Sequence, residues 1–572
     1  MRRVGCIPLF LALASFLGPM HGLAQTPLPS GFPDPDQEQL MERLGLRLEG
    51  GGEVGRIAAA GRTLMGDDTI LEFYRSRLFR PAWMEDGDLS ARGREVLAQV
   101  QGIRSHGLRP EDYHLPLLDS LLQQWGVGGE AEVRRRVDVD LLLSDAFLLL
   151  ATHLQWGRVD SDSRRPRWVP GGDGMDMMQL LHDGVEGMGP TRVVESLLPE
   201  EAGYDALRQE LNRLRQLAFR GGWARIEPGE LLEEGMRHPR VAQLRSRLEA
   251  SGELPSTANR GATWEGEGGW DPHYFDASIS RAVRLFQERQ GLESDGRVGA
   301  LTLAAMNISL DYRISQVEIN LERWRWLPPS LGRRHIAVNT ADFSVEVVED
   351  GEAVLRMRSI VGRGYRQTPA FSSEMTYLVL SPYWHVPPGI AAADVFPRLQ
   401  SDPGYLRANR MIVLEQATNR RVDPGSVDWL AMTSQEFNRT YRVRQDPGPW
   451  NSLGQVKFMF PNRHNVYLHD TPARDLFRQN VRDFSSGCIR IEDPLELAAY
   501  LLQGDPSWNT ERMKAVVDEG MERNVPLPEA ISVHIHYWTA WVDREGVLQF
   551  RTDLYQRDLP VRRALDQDPP LA

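Results

Sequence analysis

The sequence predicts a multidomain α+β fold: a helical scaffold domain, a small three-helix domain, then a mostly β domain carrying a capping insertion. Three observations lead there. The apolar period is helical from Asp67 to about residue 235, and it changes to two after Arg333. The chain has 572 residues, room for about three domains at roughly 150 residues each. Its 41% hydrophobic and 25% charged content is that of a globular protein.

The chain starts Met1-Arg2-Arg3, continues with an apolar stretch to about Leu17, and reaches Gly22-Leu23-Ala24 before Gln25. A basic start, a short apolar core and small residues before a cut site describe a secretory signal peptide over 1–24. The apolar run is too short to span a membrane, and no later window is long enough, so no membrane span is expected. Residues 25–66 are rich in Gly, Pro and charge and read as a linker whose later part is weakly helical.

From Asp67 the helices begin, with Ile70, Phe73, Tyr74 and Leu78 expected on one face. A second helix is predicted around Ala91–His106 and a long buried one over Val133–Gln155. Further helical stretches fall near Met175–Glu186, Pro190–Leu198 and Tyr204–Leu217, which makes 67–235 the helical scaffold. Residues 236–308 form the next unit. Its helix face is Ala282, Val283 and Phe286, Gly291 is placed to end that helix, and Asp295-Gly296 suits a tight turn. Gly299 is expected to allow a close approach before the last helix. This order of spaced residues resembles the helical peptidoglycan-binding domain of cell-wall enzymes, which implies glycan contact through 236–308; the same residues also serve simply to build a three-helix core.

A connecting helix is expected within 309–333. The β domain then runs over 334–555, opening with Phe343, Val345 and Val347 on one strand face and an Asp350-Gly351 hairpin. Tyr377–Leu380, Val456–Phe460 and Val466–His469 are further strands, and Ile531–Trp541 with Val547–Thr552 reads as a final pair. The pattern breaks at about 389–445, the insertion, and 556–572 reads as a C-terminal tail.

Once the leader is removed, Cys488 is the single cysteine, in Ser485-Ser486-Gly487-Cys488-Ile489-Arg490. A lone thiol outside the cytosol can make no internal disulfide and oxidises readily, so chemistry is favoured over packing. A thiol becomes a nucleophile when a base takes its proton, and His469, ending an apolar strand, is the candidate base. Gly487 lets backbone approach the substrate, and the amides of Gly487 and Cys488 are candidate oxyanion donors. Arg490, two residues on, falls on the face of Cys488 and suits a substrate carboxylate. Trp384 and His385, beside Pro387-Pro388, suit a cleft wall.

These residues resemble the signature of L,D-transpeptidases with a YkuD-type catalytic domain, except that Ser486 stands where the family usually has a second histidine. Leu468-His469-Asp470-Thr471-Pro472, Ser381-Pro382-Tyr383-Trp384-His385, Val361-Gly362-Arg363, Gln367-Thr368-Pro369 and Pro447-Gly448-Pro449-Trp450-Asn451 are similar to the large multidomain periplasmic branch. The resemblance implies a periplasmic enzyme acting on peptidoglycan stem peptides as donor and acceptor. Cys488 is then the nucleophile and His469 the base, with Gly487, Ser486, Arg490, Trp384 and His385 lining substrate or oxyanion. No cofactor or metal is implied. The acyl-enzyme would be resolved by an amine of a second stem, giving a 3→3 cross-link, or alternatively by water or by a lysine of an outer-membrane protein; a non-catalytic wall-binding scaffold is the third reading. Carbapenems would be expected to acylate Cys488.

The net charge of −13 disfavours nucleic acid or an anionic membrane as partner. His534 and His536 share a strand face without a third metal ligand at suitable spacing, and a structural role is expected. His464 reads as part of an exposed turn and Trp450 as buried under the active-site loop.

Overall fold

The computed structural model describes residues 35–50, 57–126, 128–172, 174–255, 271–402 and 404–569. The leader expected at 1–24 and the start of the 25–66 stretch lie outside these residues. The rest of that stretch is not all linker: Pro35–Glu49 is a helix whose Leu40, Leu44 and Leu48 enter the core of the helical domain. They recur every four residues, one face of a helix.

The helical domain is organised around Gly129–Trp156, buried on every side from Val137 to Leu154. Two carboxylates on this helix stay buried because backbone amides and side chains satisfy them. Asp140 accepts the Tyr74 hydroxyl at 2.5 Å and the amides of Ala82 and Trp83 at 3.0 and 2.7 Å. Asp145 accepts the amides of Met65 and Gly66, both at 2.8 Å, and pairs with His114 at 2.8 Å. Leu78 does not share the face of Ile70, Phe73 and Tyr74: the helix ends at Ser76, and Leu78 is exposed at a φ of 55°.

The small domain packs Pro239–Ser251, Ala277–Arg289 and Ala300–Met306 around Val241, Leu244, Leu248, Val283 and Phe286. Gly291 follows the helix end at a φ of 65°, the left-handed conformation that favours glycine. Gly299 makes no close approach. A Cβ there would meet only Leu231, at 3.8 Å, so its expected role is corrected to an ordinary helix start.

The β domain is a closed barrel of eight strands among the described residues, in the order Val456–Met459, Leu468–His469, Ile489–Ile491, Glu352–Ile360, Ser344–Glu349, Arg334–Asn339, Arg523–His536 and Phe371–Leu380. Leu468–His469 runs parallel to Ile489–Ile491, and Arg523–His536 parallel to Arg334–Asn339. Residues of one parity, including Ile336, Val338, Val345, Val347, Phe458, Leu468, Ile489 and Ile491, form the barrel's apolar core. Phe343 is not one of them: it sits in the preceding turn at a φ of 57° and packs with Tyr537 and Tyr555. The expected final pair is also different. The barrel strand ends at His536, and Ala540–Val542 with Leu548–Phe550 is a separate hairpin.

The insertion has its own core, with Phe396, Leu399, Trp429 and Phe437, and a sheet that takes in Trp384–His385 through pairing with Tyr441–Gln445. Residues after 555 are not a loose tail. Asp558–Leu565 is a helix whose Val561, Ala564 and Leu565 complete the helical domain's core.

The helix Leu310–Trp324 joins these bodies. On one side Glu322 accepts the Val159 amide at 2.7 Å and pairs with Arg325, which donates to the His106 carbonyl at 3.0 Å and the Tyr204 hydroxyl at 3.1 Å. On the other, Gln316 donates to the Thr539 and Arg551 carbonyls, Asn320 to the Thr539 hydroxyl, and Arg323 pairs with Asp558 at 2.7 Å. Glu322 and Arg325 are fully buried. Glu322→Ala, which leaves Arg325 charged and unpaired, should cost about 3–5 kcal/mol, whereas replacing both by apolar residues of similar volume should cost much less. Denaturant unfolding of the two variants checks this, and equal losses would refute it.

Candidate active site

The parallel ladder pairs Leu468 with Ile489 and His469 with Arg490, and the Ile489 amide donates to the Tyr467 carbonyl at 3.1 Å. Cys488 therefore lies opposite Tyr467, one step before the strand. Because Leu468, Ile489 and Ile491 point into the barrel, Tyr467, His469, Cys488 and Arg490 share the outer face. Lys457, paired with His469 across the antiparallel ladder, joins them.

The loop before the thiol is held by hydroxyls. Ser485 donates to the Cys488 carbonyl at 2.5 Å, and Thr368 donates to the Gly487 carbonyl at 2.9 Å. Gly487 has a φ of 114°, which a side chain would strain. Its amide donates to Ser485 Oγ at 3.1 Å, so the expectation that this amide is a free oxyanion donor is corrected. Ser486 Oγ accepts from Arg366 at 2.9 Å, and the same guanidinium grips Asp394 of the insertion at 2.5 Å. Asp394 lies in the π-helical turn Ala391–Val395, a local widening often found at functional sites. Arg366 thus ties the cap to the loop carrying Cys488 through the serine that departs from the usual histidine.

His469 is buried and its Nδ1–H donates to the Asp470 carbonyl at 2.5 Å, leaving Nε2 as the basic nitrogen. Burial first, then the Arg490 charge, lowers its pKa to about 3. Cys488 is half-buried and free. Burial pushes the thiol up; the amide and hydroxyl of Tyr467, then Lys457 and Arg490, pull it back. Its Sγ lies 3.9 Å from the Asn465 carbonyl, and among the described residues it makes no hydrogen bond to His469. Both shifts favour the uncharged forms, a neutral thiol and a neutral imidazole.

Arg490 Nε is buried and has no hydrogen-bond partner among the described residues. Trp384 is half-buried near the Tyr467 hydroxyl, whose pKa burial raises and Trp384 pulls back slightly. His385 is exposed, and its pKa is lowered by burial and by the Arg444, Arg442 and Lys457 charges, with Glu522 opposing. Tyr467 and Lys457 were not singled out from sequence; Lys457 Nζ stands 4.0 Å over the Tyr467 ring. Strand parity around His469 could have found Tyr467, whereas Lys457 needed the register of another strand. Trp450 is not buried: it is 39% exposed beneath the Arg410 guanidinium. His534 is held structurally by Ser372 and the Leu331 carbonyl.

Iodoacetamide alkylation of Cys488 should accelerate with pH beyond the ordinary thiol range of about 8.5, because the raised thiol pKa keeps the thiolate scarce at neutrality. Lys457→Met should slow it at pH 8 by roughly threefold. A rate already level below pH 7 would mean a resting thiolate–imidazolium pair and would overturn this description.

Three stretches of the chain match known families. Residues 68–211 match the "Scaffold domain" family, 237–306 the "Putative peptidoglycan binding domain" family and 333–509 the "L,D-transpeptidase catalytic domain" family, YkuD. A Haemophilus influenzae protein named "Putative L,D-transpeptidase" is 32% identical over 249 residues, 44% of this chain and 49% of that relative, so the match spans about half the relative's length. An L,D-transpeptidase structure from Mycobacterium smegmatis overlays at 13% identity and a TM-score of 0.18, covering 36% of this chain and 60% of that one. One from Xylanimonas cellulosilytica overlays at 14% identity and 0.17, covering 54% and 99%. Neither overlay is close enough to bear on the site. With Cys488 and His469 inside the matched segment, the chain carries a YkuD-type L,D-transpeptidase catalytic domain joined to a scaffold domain and a peptidoglycan-binding domain.

Proposed function

We propose that the protein is a cysteine-dependent L,D-transpeptidase of the periplasm that forms 3→3 cross-links between peptidoglycan stems. The observation that carries the reading is the shared outer face of Cys488, His469 and Arg490 beneath a tethered cap. Cys488 passes its proton to His469 Nε2 and attacks the carbonyl between the diamino acid and terminal D-Ala. The C–N bond breaks, His469 returns the proton to the departing D-Ala amine, and a thioester remains. The side-chain amine of a second stem then attacks, losing its proton through His469, and the thiol is restored.

Arg490, on the same outer face as Cys488, suits a stem carboxylate. An amine acceptor is favoured over water because Arg366 joins the cap to the loop carrying Cys488. The domain at 237–306 would hold the substrate polymer nearby.

Mass spectrometry of products from disaccharide-tetrapeptide should show a dimer lacking one D-Ala, absent with Cys488→Ala. Tripeptide alone would instead assign hydrolysis. No product together with no carbapenem adduct would sink the reading.

A further inference from the structure

A cavity of about 420 Å³ lies between the helical domain and the barrel, and none of the residues assigned to catalysis lines it. Its walls come from the 161–164 turn, the end of the connecting helix, the barrel strands at Phe371 and Ile535–His536, and Tyr537–Trp538 just beyond the second. Pockets of this size hold small organic ligands. The lining is strongly cationic: Arg164, Arg323, Arg463 and Arg557 face a single acid, Asp162. Asp162 is taken up at the rim by Arg463 in an exposed pair at 3.1 Å. Behind the wall, Asp558 is shared between Arg323 Nη1 and the Thr539 hydroxyl.

Four nitrogens of these lining side chains, Arg164 Nη1, Arg323 Nη2, His536 Nδ1 and Trp538 Nε1, are themselves buried just behind the cavity surface and have no partner among the described residues. Arg323 and Trp538 are only 5% and 9% exposed. Buried donors are normally satisfied, and an unanswered guanidinium nitrogen is costly. Arg164 sits over the Trp326 ring at 4.6 Å, its turn closed by its own amide donating to the Asp160 carbonyl at 3.0 Å. Burial and then the Arg323 and Arg557 charges lower the Arg164 pKa to about 10. The positive charge is thus crowded and incompletely balanced, and the adjoining surface is aromatic.

We propose that this cavity binds the carboxylate end of a short peptide, the anion between Arg164 and Arg323 and the apolar side against Trp326 and Phe371. Fixed guanidinium groups favour a planar carboxylate, and the aromatic walls favour an organic body over a bare inorganic anion. The cavity adjoins the catalytic loop at two points. Arg557 donates to Gln367 Oε1 and the Thr368 carbonyl, and Thr368 in turn holds Gly487. His464 lines the cavity next to Asn465, whose carbonyl faces the thiol. The inference rests on the proposed function only for the peptide's source, a second stem.

The test uses the full chain with Cys488 alkylated by iodoacetamide, so that the thiol site is blocked. Titration calorimetry compares N-acetyl-Ala-D-Ala, its C-terminal amide, and N-acetylmuramic acid, a sugar carboxylate. The peptide acid should bind at one site, with the amide at least about tenfold weaker. Arg164→Gln, or the exposed Arg463→Gln should Arg164→Gln not fold, should weaken the acid about tenfold with the melting temperature unchanged. Equal binding of acid and amide, no binding of the acid, or indifference to these substitutions would overturn the proposal. Binding of the sugar acid without the peptide would overturn the peptide assignment. Product formation is measured separately on the unalkylated chain. Cross-links without cavity binding would sink only the cavity inference, and cavity binding without cross-links only the transpeptidase reading.

Discussion

The arrangement of the domains depends on the desolvation of polar side chains along Leu310–Trp324. Gln316, Asn320, Glu322 and Arg323 are all buried, and a charge or amide removed from water is tolerable only when its partners are in place. Those partners are distributed among distant parts of the sequence. Val159, His106 and Tyr204 belong to the helical domain, Thr539 and Arg551 to the hairpin region, and Asp558 to the last helix. One helix therefore fixes the orientation of its neighbours through hydrogen-bond geometry, which apolar contact alone specifies poorly.

That fixed frame bears on the chemistry. The loop carrying Cys488 contains little regular structure of its own and is suspended from Ser485, Thr368 and Arg366. Thr368 is reached by Tyr555 and Arg557, residues that immediately precede the last helix. The cap rests more lightly. Its link to the loop runs through an ion pair whose carboxylate is 44% exposed, so solvent weakens it far more than the buried pairs of the central helix.

Much of this was legible in the sequence because the signals were local. Apolar spacing marked the helices, and the run around Cys488 together with His469 marked the candidate site. What escaped was set by distant partners. Leu40, Leu44 and Leu48 have a helical period, but Gly- and Pro-rich neighbours hid it. Asp558–Leu565 is short and becomes a core element only against a domain hundreds of residues away. Lys457 and Tyr467 carry no motif, and only strand register brings them to the thiol. The Gly487 amide looked available until the Ser485 hydroxyl was seen to accept from it.

The packing of Val561, Ala564 and Leu565 into the first large core has a temporal consequence. A polypeptide emerging N-terminus first brings out the long central helix well before the residues that finish covering it. Until the last helix arrives, part of the helical domain's apolar surface stays open, so this domain cannot reach its final stability as an independent early unit. Maturation consequently includes the docking of Asp558–Leu565 onto the helical domain, and loss of that helix would be felt in a domain hundreds of residues away in sequence.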